Sequence, residues 1–140
     1  MTNVSDQITN LKVSQHGLII SVDEIQQSRA AYFEIKNLLR DLQKKLFSHF
    51  ALQDQDFYKE LSETFAQDRE KSKLIEFLIH DLKDIKVNML IFFDQHPADM
   101  GDVREVNFRR DFADFAHRLT ARLASERDCL MPLLAEMDLS

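Results

Sequence analysis

Apolar side chains recur every three or four residues along almost the whole chain, which is the spacing of one face of an α-helix. The pattern predicts four long amphipathic helices. Their predicted bounds are Ser5–Arg29, Ala31–Thr64, Asp68–Gln95 and Val103–Met137, with Ser5 as the N-cap of the first. Residues 96–102 contain both a Pro and a Gly and form the clearest loop.

Glycine and proline are scarce, with two of each in 140 residues. A sheet needs many tight turns, and those turns are built from Gly, Pro, Asn and Asp. The sequence therefore predicts an all-α protein. Its length fits a single domain spanning residues 1–140, and four helices with short connections predict an antiparallel up-down-up-down four-helix bundle.

Charge and composition narrow the range of functions. A formal net charge of −6 argues against binding to nucleic acid or to an anionic membrane. The single cysteine, the polar N-terminal segment and the lack of any apolar stretch near ~20 residues predict a cytoplasmic protein. No Gly-rich phosphate loop or strand-turn-helix nucleophile motif occurs, and Cys129 fits an inert thiol at the edge of the core.

Two stretches follow one plan: a polar head residue, a polar follower four positions later, and apolar residues eight, nine and twelve positions after the head. They are residues 49–61 (HFALQDQDFYKEL) and residues 122–134 (RLASERDCLMPLL). Head and follower point the same way on a helix, so each pair can share one partner or one bound ion. A His followed by a carboxylate at this spacing is an iron-binding arrangement. The first stretch keeps the His as His49, and the second keeps the carboxylate as Glu126.

Five positions of the apolar stripes are polar, and burying them without partners would cost roughly 1–3 kcal/mol each. Three interpretations are open. The residues form a hydrogen-bonded layer with an Arg122–Glu126 pair, they mark an end of the bundle that is open to solvent, or they bind a metal or small ligand. The five are Gln15, His49, Gln53, Arg122 and Glu126.

The other histidines differ in helical phase. His16 lies at the margin of the first stripe, and a small rotation of that helix would turn it inward. His80 and His117 lie off their stripes and are expected to face solvent, and His96 is expected at the surface of the loop. With His80 outward, the third helix offers only apolar groups to the centre of the bundle.

Residues 49–58 and 122–134 resemble the hemerythrin-like, HHE cation-binding family, and the resemblance extends over roughly Ile8 to Met137. Members are antiparallel four-helix bundles that hold iron through His and carboxylate ligands and bind oxygen or sense redox state. The resemblance implies His49, Glu126 and His16 as metal ligands. Gln53 then stands in place of a bridging carboxylate and Arg122 in place of the last His, with Gln15 beside them. It implies a bacterial, non-enzymatic binding or sensory module whose iron site is degenerate or lost.

A second resemblance rests on the last helix. Residues 121–130 (ARLASERDCL) are similar to the final helix of the regulator-of-sigma-D anti-sigma proteins, which are also helical bundles. This alternative implies a regulatory bundle that binds a protein partner and no metal. Oxidative catalysis is a third option, and it would need an intact di-metal centre.

Overall fold

A computed structural model describes residues 3–29, 32–97 and 105–138, and all of its regular elements are helical. The helices occupy the positions that the apolar stripes predict, so the all-α class and the four-helix bundle are confirmed. The elements are α1 (Val4–Gln27), α2 (Tyr32–Ala51), α3 (Gln55–Thr64), α4 (Arg69–Gln95), α5 (Glu105–Ser125), a π-helical turn (Glu126–Leu130) and α6 (Met131–Asp138).

The first and third predicted helices are confirmed as α1 and α4. The N-cap of α1 is Asn3 rather than Ser5, because the Asn3 side chain accepts a hydrogen bond from the Ser5 backbone N–H at 2.6 Å. Asp68 caps α4 by accepting from the Lys71 N–H at 3.1 Å. In both cases a short polar side chain satisfies an N–H that has no partner inside the helix.

The second predicted helix is wrong in one respect, because it divides into α2 and α3. Leu52 and Gln53 close the end of α2 with tight turns to the His49 and Phe50 carbonyls, each at 3.1 Å. Asp54 then starts α3, and its carboxylate accepts from the Phe57 N–H at 2.8 Å. The division places Gln53 in a turn instead of inside a helix.

The fourth predicted helix also contains an irregularity. Between α5 and α6 the Met131 N–H bonds to the Glu126 carbonyl, five residues back, which widens the helix by one residue. The predicted start at Val103 lies outside the described residues, as does the loop beyond Pro97.

The core of the bundle is built largely from the predicted stripes, together with buried residues outside them such as Phe50, Phe93 and Leu134. Helix α1 packs against α2, α5 and α6, while α4 packs against α3 and α5. Among the described helices, none is long and apolar enough to cross a membrane. Representative fully buried side chains are Leu11, Leu18, Ile25, Leu39, Leu46, Leu61, Leu78, Phe108, Leu119 and Leu130.

The expectation that His96 lies at the surface is wrong, since His96 is 4 % exposed. It follows the last turn of α4, and its N–H bonds to the Phe92 carbonyl at 2.9 Å, which folds the ring back onto the core. The ring lies against Phe92 and Phe108, and its Nε2 donates to Asp111 of α5 at 2.7 Å. The interaction joins the end of α4 to α5.

Candidate functional site

The five polar stripe residues meet at one place inside the bundle, and none is more than 8 % exposed. The interpretation that they mark a solvent-open end is therefore wrong. We call them, together with the groups they bond, the buried polar network. Its predicted members are Gln15, His49, Gln53, Arg122 and Glu126.

The Glu126 carboxylate is the centre of the network and accepts four hydrogen bonds. Its Oε1 accepts from His49 Nε2 at 2.6 Å and from Gln15 Nε2 at 2.9 Å. Its Oε2 accepts from Gln53 Nε2 at 2.7 Å and from Arg122 Nε at 3.1 Å. Since a carboxylate offers about four lone-pair sites, this set of donors saturates it.

Among the residues that the structure describes, Arg122 is the largest fully buried side chain. All three nitrogens of its guanidinium donate hydrogen bonds. One terminal nitrogen donates to the Gln53 amide oxygen at 2.6 Å and to the Tyr58 hydroxyl at 2.9 Å. The other donates to the Leu78 carbonyl at 2.8 Å and to Asp81 at 3.2 Å. A planar fork of donors suits such multiple pairing better than a lysine would.

The prediction that the third helix offers only apolar groups is wrong. Leu78 of α4 contributes its backbone carbonyl, and the half-exposed Asp81 contributes a carboxylate. The prediction failed because the side-chain pattern does not show a carbonyl, and because Arg122 is long enough to reach an acid at the margin of the stripe. His80, on the same helix, is exposed as predicted.

Sequence reasoning also missed two hydroxyl groups. Ser14 Oγ lies 2.7 Å from His49 Nδ1, and the Tyr58 hydroxyl donates to the Gln53 amide oxygen at 2.8 Å. Ser14 precedes the inward Gln15, and Tyr58 follows the inward Phe57. The signal for Ser14 was its position beside Gln15, and the signal for Tyr58 was its place nine positions after His49 in the repeated plan.

The electrostatics favour an ionised pair at the centre. Burial acts to raise the pKa of the Glu126 carboxyl, but the hydrogen bonds from His49, Gln15 and Gln53 outweigh it, and the pKa lies below its ordinary value. Burial acts to lower the pKa of Arg122, but its contacts with Tyr58 and Glu126 raise it overall. Burial raises the pKa of Tyr58 to about 12, so its hydroxyl is neutral at physiological pH.

Both repeated stretches are irregular at the follower residue. In the first, Gln53 sits in the turn between α2 and α3, and in the second, Glu126 opens the π-helical turn. Irregular helix segments of this kind often occur at functional positions. In each stretch the head residue and the apolar residues still face the core, so the irregularity repositions the follower without turning the helix away.

The residues implied as metal ligands are not arranged to bind an iron ion. All the acceptor capacity of Glu126 is used by N–H groups, and the Arg122 cation, 3.1 Å from the carboxylate, would repel a metal ion bound there. His16, the third implied ligand, is exposed on α1. Within residues 3–29, 32–97 and 105–138, no group of three or more His, Cys, Asp or Glu could hold a metal ion. The residues that meet here are suited to bonding one another.

The remaining candidates lie apart from the network. His117 is exposed as predicted, and Cys129 is half-buried at the edge of the core.

In comparisons with protein-family models, curated proteins and solved structures, none matches this chain. The resemblance of residues 49–58 and 122–134 to the hemerythrin-like family and that of residues 121–130 to the anti-sigma proteins therefore stay predictions.

Proposed function

We propose that this chain is a cytoplasmic, non-enzymatic binding module of the hemerythrin-like plan in which the buried polar network stands in place of an iron centre. The observation that carries the proposal is the pairing of Arg122 with Glu126 at 3.1 Å, with neither side chain more than 1 % exposed. The guanidinium supplies, from within the chain, the positive charge that a metal would otherwise supply to the carboxylate.

The antiparallel order of the helices belongs to the same proposal. Along α1 and α2, Ser14 bonds to His49 while Ser21 bonds to Lys45 at 2.8 Å. Residue numbers thus rise on one helix as they fall on the other, as in an antiparallel pair. This supports the up-down-up-down arrangement of hemerythrin-like bundles.

Metal analysis of protein expressed with added iron tests the proposal. We expect the native chain to contain far less than one iron per chain and to show no iron absorption in its optical spectrum. The variant Gln53→Glu/Arg122→His restores a His and a carboxylate to both repeated stretches, and we expect it to acquire iron. Charge-matched substitutions at exposed positions, Gln67→Glu/Arg118→His, control for nonspecific loading and should leave the chain iron-free.

Two outcomes would contradict the proposal. Stoichiometric iron in the native chain, lost on His49→Ala, would show that the site binds metal despite Arg122. If Gln53→Glu/Arg122→His is folded by circular dichroism and still binds no iron, these two residues do not account for the difference from a metal-binding bundle.

A second candidate is a regulatory bundle that binds a protein partner, as the anti-sigma resemblance implies. The outer face of α4 favours it, since Val87, Leu90 and Ile91 lie at helical spacing and are 50–59 % exposed. Binding to a purified sigma factor that is lost on Leu90→Ser, but retained on the exposed control Lys73→Ser, would support this function. The absence of binding by the native chain would reject a sigma factor as the partner.

A further inference from the structure

A cleft of about 460 Å³ lies between α3 and α4, next to the buried polar network. Each helix lines it with residues spaced three or four apart, over 55–62 on α3 and 79–86 on α4, so that two helix faces oppose one another. We call it the α3–α4 cleft. Its volume falls in the range of sites for small organic ligands.

Three lysines converge on this cleft: Lys59 from α3, and Lys83 and Lys86 from α4. In the part of the chain that the structure describes, the lysine ion pairs are made by Lys45 and Lys71, and none of the three cleft lysines is paired with a carboxylate. The chain as a whole has 24 acidic and 18 basic residues. Unpaired cations gathered at one opening of an acidic protein leave a local charge that an anion would complement.

The cleft also has an apolar wall. Ile79 of α4 is only partly buried and lines it, together with the accessible edges of Leu82 of α4 and Tyr58 of α3, which are otherwise buried. A simple inorganic ion would leave the exposed part of Ile79 without a partner, whereas an organic anion would cover it and place its acidic group among the lysines. The one carboxylate among the lining residues, Asp54, accepts from the Phe57 N–H as the cap of α3, and the three lysines outnumber its negative charge.

We infer that the α3–α4 cleft binds a small organic anion, with an aromatic or aliphatic body against Ile79, Leu82 and Tyr58 and an acidic group held by Lys59, Lys83 and Lys86. The inference rests on the proposed function and names the ligand class of that binding module. A ligand in the cleft lies against Tyr58, whose hydroxyl bonds both Gln53 and Arg122. A ligand bound in the α3–α4 cleft would therefore contact a member of the buried polar network.

Fluorescence titration with 8-anilinonaphthalene-1-sulfonate tests the inference, with the uncharged N-phenyl-1-naphthylamine as the matched probe. We expect the sulfonate to bind the native chain and the uncharged probe to bind more weakly. Lys83→Gln/Lys86→Gln should weaken sulfonate binding about tenfold, as expected for the loss of two partly exposed ion pairs. Lys12→Gln/Lys73→Gln removes the same charge from exposed positions outside the cleft and should leave affinity unchanged.

Competition by naphthoate and by naphthyl phosphate then identifies whether a carboxylate or a phosphate displaces the probe better. Equal affinity of the native chain and Lys83→Gln/Lys86→Gln, or equal binding of charged and uncharged probes, would overturn the inference. So would tighter, lysine-dependent binding of an acidic peptide, which would indicate a macromolecular partner. Because metal content is measured separately, failure here leaves the replacement of the iron centre by Arg122 and Glu126 unaffected.

Discussion

Tyr58 connects the α3–α4 cleft with the buried polar network. Its ring lines the α3–α4 cleft, while its hydroxyl donates to Gln53 and accepts from Arg122. A phenolate there would gain from the Arg122 charge but would lose its hydration. Burial is the stronger effect, and the neutral hydroxyl is favoured.

The alkaline titration of Tyr58 is a prediction at the scale of one residue. In the variant Tyr32→Phe, which leaves Tyr58 as the only tyrosine, its phenolate absorbance should develop near pH 12 instead of the ordinary 10.0. Because the folded state raises the pKa, the stability that the neutral hydroxyl contributes is fully present below 10.0 and is lost as the pH approaches 12. Circular dichroism in the same titration separates ionisation from unfolding. Ionisation near 10.0 in the folded chain would contradict the buried environment of this hydroxyl.

Helical phase predicted correctly which polar residues point inward but not the full set of their partners. His49 and Glu126 lie on stripes whose apolar members fix the direction of every side chain, so their burial could be deduced. Asp81 and Tyr58 lie off those stripes and join the network through side-chain reach. His96 was misplaced because a neighbouring proline and glycine indicated a loop, whereas its ring packs back onto Phe92.

At the scale of the elements, the two irregular segments determine where the followers lie. The turn after α2 releases Gln53 from the helix, and the π-helical turn after α5 carries Glu126. Neither could be read from the apolar period, because Phe57 and Leu130 continue it on the far side of each irregularity. Asp54 was the available signal for the first, since Asp is a preferred N-cap.

The cap at Asp54 gives a prediction for this scale. Asp54→Ala removes the acceptor of the Phe57 N–H and should lower the free energy of unfolding by about 1 kcal/mol. Asp54→Asn keeps an acceptor at the same place and should lose only a few tenths of that amount. Urea unfolding of both variants measures the difference. An alanine variant as stable as the native chain would show that the Asp54 cap does not stabilise the start of α3.

At the scale of the whole molecule, the buried polar network joins α1, α2, α3 and α4 to the end of α5 and the π-helical turn. Ser14 and Gln15 come from α1, His49 from α2, Tyr58 from α3 and the Leu78 carbonyl from α4, and all bond directly or through one partner to the Arg122–Glu126 pair. A hydrogen-bonded buried network favours one arrangement of helices, because a shift that separated Arg122 from Glu126 would leave the buried carboxylate without its arginine partner. The pair therefore holds the register of the bundle.

A double-mutant cycle on Arg122 and Glu126, followed by urea unfolding, tests most directly the claim that the guanidinium compensates the buried carboxylate. We expect Arg122→Met to lower the free energy of unfolding by about 3–5 kcal/mol, because it leaves the buried Glu126 carboxylate without its arginine partner. Glu126→Met should cost less, because Arg122 keeps its ion pair with Asp81 at 3.2 Å. The double variant removes both charges and should lose less than the sum of the single losses by more than about 1 kcal/mol. If Arg122→Met alone does not fold but the double variant does, that result would likewise show that the two charges compensate one another. Single losses that add within about 0.5 kcal/mol would contradict the claim that Arg122 compensates Glu126 in place of a metal.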